Sequence, residues 1–166
     1  MGNQSIESVM DTPVIPDNLE WLPVPVAGSE GLMLKVLRVD EEAGRAVLKA
    51  RFAPGTVIPR HYHYCRAVAY TVSGSWDYDE GHFRTGDVAY ENVGHNHQAR
   101  SDEGSELFLV FDTDCGLLLD NCMEDGSAVR FGLSLLKQLE GATLEQYQAM
   151  DLTPHVQLVP AGQAAQ

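Results

Sequence analysis

Between Leu32 and Leu119 the chain consists almost wholly of short β-rich runs separated by turn signals, and this rhythm constrains the fold more than any other feature. The runs cover residues 32–39, 45–52, 67–73, 75–78, 87–90, 106–111 and 116–119. Gly44, Pro54 with Gly55, Gly81 and Gly126 punctuate the chain as turn signals. No helical pattern lies between the runs. Parallel strands need long crossovers, usually helical, so strands this closely spaced pair antiparallel. An antiparallel sandwich or barrel follows. A period near 3.6 appears only after about Leu133, in Leu135, Leu136 and Leu139. Thr143 with Gln146 reads as a capping box for a short helix ending near Met150. The expected class is therefore all-β with a short C-terminal helical segment.

A chain of 166 residues suggests one domain with a real core. Residues 1–20, polar with Pro13 and Pro16, read as an N-terminal arm of the kind that lies across a partner subunit. Residues 21–152 form the domain, and 153–166 a fraying tail. With 24 acidic and 11 basic residues the formal charge is −13, which repels phosphate backbones and argues against nucleic acid. No run of eighteen apolar residues offers a membrane span. Cys65, Cys115 and Cys122 cannot close a disulfide framework. The first residues lack a signal peptide's basic start and apolar core, and Ile6 breaks the myristoylation pattern. A cytoplasmic chain with reduced thiols is the expectation.

The candidate chemistry lies in the histidines. His61 and His63 are separated by one residue on a strand, so both rings point to the same face. Pro59 marks the strand start, and Gly94 allows a bend that can bring His97 beside the pair. His95 is the rival third ligand, since His95 and His97 form a second pair of the same spacing. A lone pair of this kind is more often solvated than ligated, but a third imidazole changes that balance. Three neutral imidazoles suit iron(II), zinc, nickel, copper or manganese and leave coordination positions open. Structural zinc normally takes four protein ligands, so a three-histidine set leans towards a working site.

The glycine and histidine spacing resembles the cupin family. Gly55, His61, His63, Ala67 and Gly74 fall in the register of the first cupin motif. Gly86, Asn92, Gly94 and His97 fall in that of the second, which favours His97 over His95. Two positions depart: the first motif usually carries glutamate where Ala67 stands, and the second proline where Asn92 stands. The resemblance narrows to three-histidine cupins, among them acetylacetone dioxygenase and, closer in the segments around Trp21, Gly74–Glu80 and Gly86–Glu91, 2,4'-dihydroxyacetophenone dioxygenase. It implies a jelly-roll β-barrel, a dimer or higher homo-oligomer, and a mononuclear non-haem iron(II) site at His61, His63 and His97. The activity implied is O2-dependent cleavage of the C–C bond beside a carbonyl in an enolisable ketone, a hydroxyketone or β-diketone.

Around that site, Glu80 corresponds to a carboxylate near the metal in the dihydroxyacetophenone enzymes and is a candidate weak ligand or base, although Asp79, Glu80 and Gly81 also read as a hairpin turn. Tyr70 is a second candidate for the enol proton. Ala67, Ala69, Thr71 and Ser73 are expected to share the barrel's inner face and leave room for substrate, and Arg66 to meet an anionic one. Cys65 reads as a buried or loop thiol, His82 and His155 as surface residues. Two other functions fit the same residues: a non-catalytic cupin that senses or stores a metal or ligand, and an O2-independent metal-assisted isomerase or lyase.

Overall fold

A computed structural model describes residues 16–165. Strands β1 (Leu22–Pro23), β2 (Leu32–Asp40), β3 (Arg45–Phe52), β4 (Thr56–Val57), β5 (His61–His63) and β6 (Arg66–Tyr78) come first. β7 (Gly81–Arg84), β8 (Val88–Glu91), β9 (Asn96–His97), β10 (Arg100–Ser101), β11 (Ser105–Asp112), β12 (Leu117–Cys122) and β13 (Ala128–Gly132) follow. Helices α1 (Leu133–Leu139) and α2 (Leu144–Ala149) precede the last strand, β14 (Val156–Val159).

The larger sheet runs β1-β2-β3-β11-β6-β10-β4, with β7 and β8 also paired to β6; the smaller runs β14-β13-β12-β5-β9. The ladders are antiparallel, as the short connections require. On β3 the period of two buries Ala46, Leu48, Ala50 and Phe52 and turns Arg45 and Arg51 to solvent. Leu107 of the larger sheet meets Leu118, Leu119 and Phe131 of the smaller in one core. The expected β-barrel architecture is the one found.

The runs 67–73 and 75–78 are a single thirteen-residue strand, β6, and Gly74 at its centre has φ +76. A side chain there would collide with the Gly104 carbonyl, so only glycine lets β6 bend past β11. Just before it the register slips: Glu106 pairs with Ser73 but Leu107 with Thr71. This bulge breaks the alternation. Ala67, Ala69 and Thr71 face inward as expected, but Ser73 does not; it is exposed.

α1 packs Leu133, Leu135, Leu136 and Leu139 into the core against β2 and β3, each worth about 2–3 kcal/mol of burial. α2 opens on the expected capping box: the Gln146 backbone N–H donates to the Thr143 hydroxyl, and the Thr143 backbone N–H to the Gln146 side chain. The tail from 153 is a correction. It pairs as β14 with β13, from Ala128 opposite Val159 to Phe131 opposite Val156, and Val159 is buried. The prolines at 154 and 160 flank this strand rather than fray it. Of the arm expected over 1–20, residues 1–15 lie outside the described residues. Pro16 accepts a hydrogen bond from Lys35 Nζ at 2.8 Å.

Candidate metal centre

β5 lies between β12 and β9, and that placement brings the imidazoles together. His61 and His63 face Asn121 and Leu119 on one side, and His61 faces His97 on the other. Alternation turns Tyr62 away and buries His61, His63 and His97. Gly94, at φ +88, makes the turn between β8 and β9. Its N–H donates to the His63 carbonyl, and the His63 N–H to the His95 carbonyl, both at 2.9 Å. Ring centroids are 4.4 Å apart for His61 and His97 and 5.1 Å for each of the other two pairs. One ring nitrogen from each residue lies within 4.8 Å of the others, so the group can hold a metal ion.

A fourth group enters this space, one that reasoning from the sequence missed. Glu91, at the end of β8, is buried with Oε2 3.4 Å from His63 Nε2 and Oε1 3.6 Å from His97 Nε2. Its Oε1 has no hydrogen-bond partner among the described residues. The signal was present: Glu91 is two residues from Ala89, inward on the same strand, while Tyr90 between them is exposed.

The electrostatics suit a cation. Burial, reinforced by the neighbouring imidazoles, lowers His63 to about 3 and His97 to about 2, and burial lowers His61 to about 4. All three rings are therefore neutral donors at pH 7. Burial raises Glu91 to about 8. His61 Nδ1–H donates to the Pro59 carbonyl at 3.0 Å, which fixes the tautomer and leaves its Nε2 lone pair free. His63 Nε2 and His97 Nε2 stand 3.1 Å apart, where at most one can donate, and His97 Nδ1 is buried without a partner among the described residues. Converging nitrogen lone pairs beside an unpartnered carboxylate oxygen are the donor set of a divalent transition metal. Cys65 Sγ is 3.9 Å from His63 Nδ1 and belongs to neither group of converging ligand atoms; burial lifts its thiol to about 12.

The other candidate residues separate. His95 is half-buried, behind His97 with centroids 4.4 Å apart, and forms a second possible group with Glu91 and His97. Glu80 is largely exposed and sits 3.9 Å from His95 Nε2, not among the three histidines. Tyr70 points outward, since its neighbours Ala69 and Thr71 take the inner face, and this corrects its expected place at the site. Arg66 is also outside, bidentate to the exposed Asp114. Ala67 and Ala69 are inside. Tyr78, buried, sets its ring edge-on against His97 at 4.5 Å. His82 pairs with Asp77 and His155 with Ser134, away from the site.

The histidines and Glu91 open onto a cavity of about 100 Å³ walled by Leu34, Phe52, Ala69, Trp76, Leu107 and Phe131. This is the space of roughly three water molecules. Apart from Glu91 and the imidazoles, its polar lining includes Ser29 and Asn121, and among the described residues no Lys or Arg reaches it.

Solved structures with this architecture include an acetylacetone dioxygenase from Acinetobacter johnsonii: TM-score 0.67, 15% identity, 91% of this chain and 99% of that one covered. A putative acetylacetone dioxygenase from Methylibium petroleiphilum gives TM-score 0.65 and 22% identity over 80% and 93%. A chain of the Rhodobacter sphaeroides complex of SigE with the anti-sigma ChrR gives 0.50 and 14% over 57% and 50%. At these identities the likeness is one of fold. No curated protein matches. A family model does match, that of the ChrR cupin-like domain, over residues 9–115. With the β-barrel and the clustered motif histidines in place, the chain belongs to the ChrR cupin-like domain family.

Proposed function

We propose that the protein is a mononuclear iron(II) cupin dioxygenase that cleaves the C–C bond beside the carbonyl of a small, apolar, enolisable ketone. The observation that carries the reading is the placement of three buried, neutral imidazoles at the wall of a largely apolar cavity. His61, His63 and His97 would hold the iron, which supplies Lewis acidity and a redox partner for O2 when bound. The remaining work belongs to the chain. Three neutral histidines leave the cation's charge to be met by Glu91 and by the substrate, which favours a substrate bound as its enolate. Glu91, whose carboxyl group faces the cavity and is raised to about 8, is placed to take the enol proton in its ionised form. The apolar walls exclude water and select an uncharged body, since among the described residues no basic side chain meets a carboxylate there. Overall, O2 takes four electrons from the substrate and both its oxygen atoms end in the two fragments, so no external reductant enters.

The likeness to two acetylacetone dioxygenase structures supports this reading. A second reading, a metal-binding sensor without turnover, is favoured by the family's ChrR domain and by the anti-sigma complex among the fold relatives. O2 uptake separates them. Protein purified without a histidine tag is loaded anaerobically with iron(II) and given a panel of β-diketones and hydroxyketones. Stoichiometric O2 consumption with two fragments formed is the expected result. Metal binding without uptake on any member overturns the oxygenase. Turnover in the absence of O2 would instead identify an isomerase or lyase.

A further inference from the structure

The three motif histidines are buried, so an ion must pass through protein to reach them. On the cavity side it would meet Leu34, Phe52, Leu107 and Phe131, none of which can replace the water that a divalent ion must shed. On the side of the turn between β8 and β9 it meets oxygen and nitrogen instead. Glu80, whose side chain is 67% exposed, holds Oε2 3.9 Å from His95 Nε2. His95 is 25% exposed, and its ring centroid lies 4.4 Å from that of His97. One ligand atom from each of Glu91, His95 and His97 lies within 4.8 Å of the others. His95 Nδ1, His97 Nδ1 and Glu91 Oε1 are buried with no hydrogen-bond partner among the described residues. The side chains of Glu91 and His97 are only 5% and 2% exposed.

We propose that Glu91, His95 and His97 form a second, transient site for a divalent transition metal, the last stop before His61, His63 and His97, with Glu80 at its mouth. This rests on the metal centre of the proposed function. Imidazole nitrogens and a carboxylate oxygen are donors that take iron(II), cobalt(II) or zinc. Both sites contain His97, so an ion can exchange His95 for His61 and His63 while His97 still holds it. The outer site is the weaker, because His95 sits in a turn open to water, whereas His61 and His97 are ladder partners. A net charge of −13 draws cations to the surface. Arg60, whose guanidinium reaches the Asn96 carbonyl beside this mouth, is ion-paired to Asp79 at 3.1 Å. A site occupied only in passing sets rates and not affinity, so its loss slows entry and exit by the same factor.

Cobalt(II) exchange on the untagged, metal-free full chain tests this. Stopped-flow uptake, read from the ion's ligand-field absorbance, and release into excess chelator give the two rates. His95→Ala should lower both about 10-fold, the lower end of what a lost metal-supporting group costs, and leave the dissociation constant unchanged. Glu80→Gln should slow uptake a few-fold at low salt and less at high salt. Glu42→Gln, in the turn between β2 and β3, should take up the ion as wild type does. Wild-type rates in His95→Ala overturn the outer site and leave the centre standing. Faster rates would make His95 a plug, and a raised dissociation constant would make it a resident ligand; each overturns the proposal. A wild-type chain that binds no cobalt(II) overturns the outer site together with the centre.

Discussion

Glu91 stands directly across the β6–β8 ladder from Ala67. Opposed residues on an antiparallel pair hold their Cβ atoms about 5 Å apart on the same face. A carboxylate lost from position 67 can therefore re-enter nearly the same volume from position 91. The site is not simply a glutamate-bearing cupin site with one group deleted, because the acid arrives from the neighbouring strand. Glu91→Gln keeps the shape and removes the charge. It should lower iron(II) and zinc affinity about 10- to 100-fold, the usual scale for groups that support metal ligands. The double change Ala67→Glu with Glu91→Ala should recover most of that loss. Competition against a chromophoric chelator measures both, and an unchanged affinity in Glu91→Gln would show that the carboxylate does not act on the metal.

His97 and His95 differ in how their strand is held. His97 is the ladder partner of His61 and fully buried, whereas His95 sits in the turn, its ring partly open to solvent. His97→Ala should reduce bound metal to near zero in untagged protein, and His95→Ala should keep most of it. The reverse outcome, read by elemental analysis, moves the centre to the group formed by Glu91, His95 and His97.

These two residues also mark how far the sequence could be read. The β runs, the capped helix α2 and the gathering of His61, His63 and His97 follow from period-two alternation and glycine spacing, both of them local signals. Alternation on β8 marks Glu91 as inward, but what it faces there depends on which strand β8 pairs with, a long-range fact. Ser73 was misplaced for a related reason: the bulge opposite Glu106 and Leu107 is set by a strand some thirty residues away. Tyr70 was legible and misjudged, since the alternation that places Ala69 inside already turns Tyr70 out. The tail's pairing as β14 rests on the free edge that β13 offers, again a property of the assembled sheet.

The buried imidazoles should make the metal-free chain acid-sensitive in a window above ordinary carboxylate titration. His61, His63 and His97 have folded pKa values of about 4, 3 and 2, against 6.5 when unfolded. As pH falls below 6.5 the unfolded chain binds protons that the folded chain refuses, so stability falls. Glu91, raised to about 8, works in the opposite direction between pH 8 and its unfolded value of 4.5. Three groups against one leave a net loss on acidification. The melting midpoint of chelator-treated protein should therefore drop between pH 6.5 and 5, and His97→Gln should make that drop shallower. A flat profile in wild type would contradict the burial of neutral rings.

Gly74 offers a test of the fold itself. Its positive φ lies in the left-handed region, and a Cβ there meets the Gly104 carbonyl, so backbone rather than a flexible side chain must yield. Gly74→Ala should cost at least about 2 kcal/mol by denaturant titration. Gly55→Ala is the comparison: φ is +78, but no heavy atom lies within 4 Å of the added carbon. It should cost only about 1 kcal/mol, the conformational part alone. Equal losses would mean that the contact with Gly104 does not hold β6 to β11.

Ala69 and Arg66 separate two views of how a substrate is bound. Ala69 lines the cavity, whereas Arg66 lies outside the barrel with Asp114. Ala69→Leu fills cavity space without touching the histidines. It should leave metal content unchanged, cost about 1–3 kcal/mol of stability through overpacking, and lower kcat/KM for whichever ketone supports O2 uptake, most for the bulkiest. Arg66→Ala removes an exposed ion pair, so stability should move by less than about 0.5 kcal/mol. Its KM should match wild type even for substrates carrying a carboxylate. A raised KM confined to the carboxylate-bearing substrates would bring Arg66 back to the site, and would require that strand end to move inward when substrate binds.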